Sequence, residues 1–303
     1  MMPVVKNPVK PVSPATTKIP RSQSVAPFDP SKMGEEEPQF DVNPFTPRQK
    51  DADDHTPAQG IDLTGRNKII FAVGRGKTGK TTLLRWMAEQ AIAGGRSFLM
   101  ADIDPTNASF ASYFENVSRP DTDQPAGVNR WLQGFIEYAV KHKTTAVIDL
   151  GGGDTTLRTL ATEMPGFSQQ IEEAGLVPVN FYLTGTQPDD LAPIATLAER
   201  GFSPPARAVV LNEFAADVGL SRQQAFMRVC RNRVFLDQLG SGAINLWMAR
   251  LHAADAVEVR RTTFAAARDG QSKPPLGLFD RSRVKSWLEA MEKQFQGVRS
   301  WMP

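Results

Sequence analysis

The stretch AVGRGKTGKTTLL, residues 72–84, decides how this chain is read. As G-x-x-x-x-G-K-T it begins at Gly74 and ends at Thr81, an ordinary phosphate-binding loop. As a variant of K-G-G-T-G-K-T-T it begins at Arg75 and ends at Thr82, with Arg75 for the first Lys and Lys77 for the second Gly. The apolar run KIIFAV (68–73) enters the loop as a strand. TTLLRWMAEQAIAGG leaves it as a helix with Leu83, Leu84, Met87, Ala88 and Ala91 on one face. Strand, Gly-rich turn and helix form the setting that such a loop needs. Gly74, Gly76 and Gly79 let backbone N–H groups through Lys77 and Thr78 turn inward around phosphate oxygens, and the helix N-terminus adds partial positive charge. Lys80 is expected to reach β- and γ-phosphates, the Thr81 hydroxyl to bind Mg²⁺, and Thr82 to sit near the α-phosphate.

Downstream, short apolar runs alternate with helical patterns. Strands are expected at 97–103, 145–150, 179–184, 207–212 and 243–248, and helices at 129–143, 188–200, 221–239 and 253–268. Continuous apolar strands between helices predict an α/β fold with a doubly wound, mostly parallel sheet, residues 66–275 forming one domain. The first 60 residues differ. They hold 11 of the 23 prolines and two glycines, and they are expected to form a disordered, Pro-rich arm. Residues 280–303 place Val284, Trp287, Leu288, Met291 and Phe295 at helical spacing, an amphipathic helix that packing on the domain explains better than a membrane surface does.

The whole-chain numbers narrow the classes. With 303 residues and 41% hydrophobic content the chain can bury a sizeable core. A net charge of +2 predicts no bulk attraction for polyanions. The single Cys230 excludes an internal disulfide framework and suits a reducing cytosol. No apolar run reaches spanning length, and the first residues show no secretory pattern, so a cytoplasmic setting is expected.

Two acidic strand ends follow the loop. MADIDPTNAS places Asp102 and Asp104 at the end of the second strand, where a carboxylate orients water or holds a metal through water. AVIDLGGGD ends a strand on Asp149 before three glycines that permit close backbone approach to a γ-phosphate. A late strand, VVLNEF, ends on Asn212, and LWMARL follows at the next strand end.

This ordered set, a P-loop, D-x-D-P and h-h-h-D-x-G, resembles the ParA/MinD family of dimerising P-loop ATPases, which includes proteins similar to nitrogenase iron protein. The resemblance covers roughly residues 66–270. It implies ATP and Mg²⁺ as cofactors, with Thr81, Asp102 and Asp149 around the metal and Asp104 positioning the hydrolytic water. It implies a nucleotide-dependent homodimer in which the family's signature Lys reaches the partner's nucleotide. Arg75 stands at that position, and Lys77 is the alternative. Asn212 would contact adenine. N/T-K-x-D is absent there, since Glu213, Phe214 and Ala215 follow, which favours ATP over GTP. The implied setting is bacterial, in plasmid or chromosome partition, plasmid stability or mobilisation, on or off the nucleoid. Partners would be a protein activator and nonspecific DNA, the latter through Arg222, Arg228, Arg231 and Arg233, a set that a solvated helix face explains equally well. Two other readings stay open: a small-molecule kinase or synthetase similar to dethiobiotin synthetase, with an acceptor pocket along 105–130, and a nucleotide-gated adaptor using the Pro-rich arm.

Overall fold

The computed structural model describes residues 58–104, 108–151 and 155–303. The expected arm therefore lies almost wholly outside the described residues, as do Pro105 and the last two glycines of the Asp149 loop.

A seven-stranded sheet carries the fold: β1 (Lys68–Val73), β2 (Leu99–Asp102), β3 (Val117–Ser118), β4 (Ala146–Asp149), β5 (Val177–Thr184), β6 (Ala206–Asn212) and β7 (Ile244–Met248). Their spatial order is β3-β2-β4-β1-β5-β6-β7, and every neighbouring pair runs parallel. β1 is central, so its C-terminal end opens between strands reached by crossovers in opposite directions. Open α/β sheets bind ligands at such a point.

Residues alternate between the two faces of β1. Ile70 and Ala72 pack with Leu83, Leu84 and Met87 of α1 (Lys80–Ala93) and with Trp287 and Met291 of α10 (Leu278–Gln294). Ile69, Phe71 and Val73 face the other core. There α2 (Pro125–Lys141), α3 (Thr156–Glu163), α4 (Phe167–Glu173), α5 (Ala192–Glu199), α6 (Arg222–Cys230) and α7 (Arg233–Gly240) contribute. The sheet is thus doubly wound, as the apolar strands predict.

The expected single helix at 221–239 is two. Asn232 is extended and its side chain accepts a hydrogen bond from Val234 N at 2.9 Å, which starts α7 afresh. The stretch 253–268 likewise divides into α8 (Ala254–Arg260) and α9 (Phe264–Asp269), with Thr263 capping α9 through Ala266 N. At 188–200 a 3₁₀ turn, Pro188–Leu191, precedes α5. The helices α3 and α4 and the two-residue β3 were not foreseen.

The C-terminal segment belongs to the core. Val284, Trp287, Leu288, Met291 and Phe295 are all buried, and a 3₁₀ segment, Gln296–Trp301, follows α10. Residues 60–63 lie along it: Gly60 N donates to Gly297 O at 3.0 Å, Trp301 Nε1 to Ile61 O at 2.7 Å, and Leu63 N to Ser300 Oγ at 3.0 Å.

Candidate phosphate-binding site

The loop between β1 and α1 has the backbone that its glycines imply. Gly79 has φ 92°, and a Cβ there would stand 2.5 Å from Asn212 Nδ2, so only glycine fits without displacement. Lys77 also takes a left-handed conformation, φ 65°, at the position where the variant motif has Gly. That costs a non-glycine residue about 1 kcal/mol and holds an exposed amine at the cavity mouth.

Lys80 is 5% exposed, and its Nζ donates to Gly74 O and Arg75 O, both at 3.0 Å. Thr78 Oγ1 donates to Arg75 O at 2.8 Å. The carbonyl of Arg75 is therefore the knot of the loop.

β4 brings the acid to the loop. Asp149 is 2% exposed; its Oδ2 accepts from Thr81 Oγ1 at 2.6 Å and its Oδ1 from Gly151 N at 3.3 Å. Burial pushes its carboxyl above the ordinary range, against the hydroxyl of Thr81 and the amide of Gly151. Asp104 stands across the mouth: a Cβ on Gly151, whose φ is 70°, would come within 2.8 Å of its carboxylate. The ends of β2 and β4 therefore meet at this glycine.

Two residues placed in the site on sequence grounds also bond to the backbone. Asp102 was expected around the metal. It is fully buried, and its two oxygens accept from Asp104 N at 3.1 Å and Ala111 N at 2.8 Å. It anchors the chain after β2. Asn212 was expected to contact adenine. Its Nδ2 donates to Thr78 O at 2.8 Å and its Oδ1 accepts from Phe214 N at 3.0 Å, so both ends brace backbone. A strand end juxtaposes a polar side chain with the nearest unsatisfied backbone groups, and spacing in the sequence does not show which groups those are.

Burial also pushes the Asp102 carboxyl up to about 6, against the Ala111 amide and aided by the Asp149 charge. Its folded value lies above the ordinary 3.8, so the folded state holds this proton more tightly. The resulting stability is present below 3.8 and is lost as the pH rises through about 6. In urea melts without divalent cation, Asp102→Asn should flatten this fall; an identical pH profile in both proteins would contradict the assignment.

The loop opens into a cavity of about 830 Å³. Gly76, Lys77, Gly79, Lys80, Thr81, Thr82 and Asp104 line one end. Phe214, Met248, Ala249 and Leu251 line another part, at the ends of β6 and β7. Ser109 and Tyr113, from the segment expected to hold an acceptor, line this same cavity. Sequence reasoning missed two arginines here. Arg250 NH2 donates to Glu213 O at 2.9 Å and also to Ala216 O, tying the two strand-end loops together. The Arg85 guanidinium lies 3.8 Å over Tyr113 and 3.9 Å over Phe264, paired with Glu89 at 3.0 Å. An i,i+4 Arg–Glu pair on the apolar face of α1 was the available signal for Arg85.

Arg75 is 54% exposed and lies 3.6 Å from Asp190 of its own chain. Of the basic set on α6 and α7, Arg222 pairs with Glu213, Arg233 with Asp237 at 3.5 Å, and Arg228 reaches Gln187 at 3.5 Å. Among the described residues no helix is long and apolar enough to cross a membrane.

The parallel sheet and the strand–loop–helix at its central strand define a P-loop α/β fold. No family model matches the chain, and no curated protein matches it. Among solved structures, the chloroplast FtsY of Physcomitrella patens is similar over 78% of this chain and 68% of its own, at 16% identity and a TM-score of 0.42. The FtsY of Mycoplasma mycoides is similar over 63% of this chain and 62% of its own, at 15% identity and 0.40. The signal recognition particle receptor FtsY of Elizabethkingia anophelis, solved in complex with GDP, is similar over 78% and 68%, at 13% identity and 0.39.

Proposed function

We propose that the chain is an ATP-binding P-loop ATPase whose nucleotide state switches a homodimer, in the manner of ParA/MinD proteins. The observation that carries the reading is the Thr81–Asp149 hydrogen bond beside Lys80, which joins the loop to the acid of β4 at the C-terminal edge of the sheet. Lys80 and the loop amides would bind the β- and γ-phosphates. Asp104, across from Gly151, would orient the attacking water. The walls formed by Phe214, Met248, Ala249 and Leu251 would hold the base, with Arg250 fixing the loops that carry them.

The residues fit Mg²⁺. Thr81 and Asp149 offer two hard oxygens, and the buried Asp149 carboxylate has a charge that a cation would stabilise. Mg²⁺ usually takes one or two protein oxygens and completes its shell with phosphate and water. Among the described residues no group of three or more His, Cys, Asp or Glu forms a metal cage. When bound, it would offset phosphate charge.

For action across a dimer, Arg75 must leave Asp190, whereas Lys77 already stands exposed at the mouth. Partition, stability or mobilisation would be the role served, with a protein activator and DNA as partners. Light scattering of the full chain with a non-hydrolysable ATP analogue and Mg²⁺ tests the switch. The expected mass is that of a dimer for the wild type and of a monomer without nucleotide. A constant mass would remove the switch, and tighter binding of GTP than of ATP would overturn the choice of base.

A further inference from the structure

A second cavity, of about 460 Å³, lies on the other flank of β1. It shares only Gly151 with the first. Its floor is apolar, built by Val73, Leu150, Leu157 and Leu197 from the ends of β1 and β4 and from α3 and α5. Two arginines, Arg75 and Arg158, stand in its walls. Its volume lies in the range of small-molecule sites, which combine apolar walls with a few placed polar groups.

We infer that this cavity binds a small anionic ligand with an apolar body, a phosphate or carboxylate ester or acid carrying an alkyl or aryl group. Three observations converge on this class. Arg158 projects from α3 and makes no ion pair among the described residues. Arg75 is held only at 3.6 Å from Asp190, beyond hydrogen-bond length, and is half exposed, so its guanidinium is free to re-pair at little cost. Among the described residues the one carboxylate of the walls, Asp189, is exposed in the first turn of the 3₁₀ segment and is screened by solvent. An anion would bridge the two guanidiniums while its body covers the leucines.

The site is coupled to the loop by construction. The Arg75 carbonyl accepts both Lys80 Nζ and Thr78 Oγ1, so a ligand that repositions Arg75 acts on the backbone that orients Lys80. The inference does not depend on the proposed ATPase activity.

Phenyl phosphate is the probe, titrated calorimetrically into the full chain, with inorganic phosphate in parallel. Phenyl phosphate should saturate and bind at least about tenfold more tightly than phosphate, the gain expected from a buried ring. Arg158→Ala should weaken phenyl phosphate at least about tenfold, what one charge-assisted hydrogen bond supplies, and leave nucleotide affinity unchanged. Thr196→Trp, which fills the cavity from α5, should do the same. Lys80→Ala should leave phenyl phosphate binding in place. Equal binding of the two probes, no saturation, or loss with Lys80→Ala but not with Arg158→Ala would each overturn the inference. The last result would place the probe in the phosphate loop instead.

Discussion

Lys80→Ala should lower ATP affinity by about 100-fold and abolish measurable hydrolysis, with the fold retained. The size follows from the site. Removing one member of a buried, hydrogen-bonded charge interaction costs about 2–5 kcal/mol, and each 1.4 kcal/mol is about tenfold in affinity. Lys80 is buried at the first turn of α1 and its amine spans the loop by bonding Gly74 O and Arg75 O. The same amine would meet the β- and γ-phosphates where charge grows in the transition state. The loss of two internal hydrogen bonds should cost stability of about 1–3 kcal/mol, which a thermal melt will show as a modest shift. The apolar cores that carry the fold do not include this side chain. Fluorescent-nucleotide titration measures the affinity and phosphate release measures the turnover. Affinity within a few-fold of wild type would sink the assignment of the loop as the nucleotide site.

Trp301→Ala should be the most damaging single truncation away from the site, destabilising the protein by about 3–5 kcal/mol. Trp301 is 1% exposed and stands two residues before Pro303. Its ring lies 5.9 Å from that of Phe181 in β5, and its Nε1 donates to Ile61 O. Gly60 sits against the same ring: a Cβ there would approach it to 2.4 Å. One side chain therefore joins the sheet, the C-terminal 3₁₀ segment and the segment before β1. Its removal opens a cavity and leaves the Ile61 carbonyl without that donor. Urea unfolding should show a lower midpoint at an unchanged slope, with the melting temperature lower by about 10 °C. A loss under about 1 kcal/mol would mean that the segment is peripheral to the core.

Much of the fold was legible because parallel strands buried on both faces need uninterrupted apolar runs. KIIFAV and AVVLN announce β1 and β6 on that ground alone. The short β3 carried no such signal: an edge pair of two residues has no period to detect. The breaks at Asn232 and Thr263 were overlooked because both residues sit inside helical apolar patterns, yet each caps the next helix.

In the site, Lys80, Thr81 and Asp149 were placed together from motif order; the structure hydrogen-bonds Thr81 to Asp149 and ties the Lys80 amine to the carbonyls of Gly74 and Arg75. Asp102 and Asn212 were named from the same motifs, and their bonds to backbone were not legible in the spacing. Arg250 gave no signal at all, since its partners are carbonyls.

The chain's own pattern thus settles the parallel α/β sheet, the strand–loop–helix and the acids at the strand ends, because local periodicity, glycine placement and side-chain chemistry act over a few residues. Only the tertiary structure showed which polar groups line the cavity and which bond to backbone, with Asn212 doing both. It alone showed that Arg75 lies beside Asp190, that a second cavity adjoins Gly151, and that Trp301 closes the core. Those outcomes depend on which unsatisfied donors and acceptors packing brings together from distant parts of the chain, a matter of geometry across the sheet that no local spacing encodes.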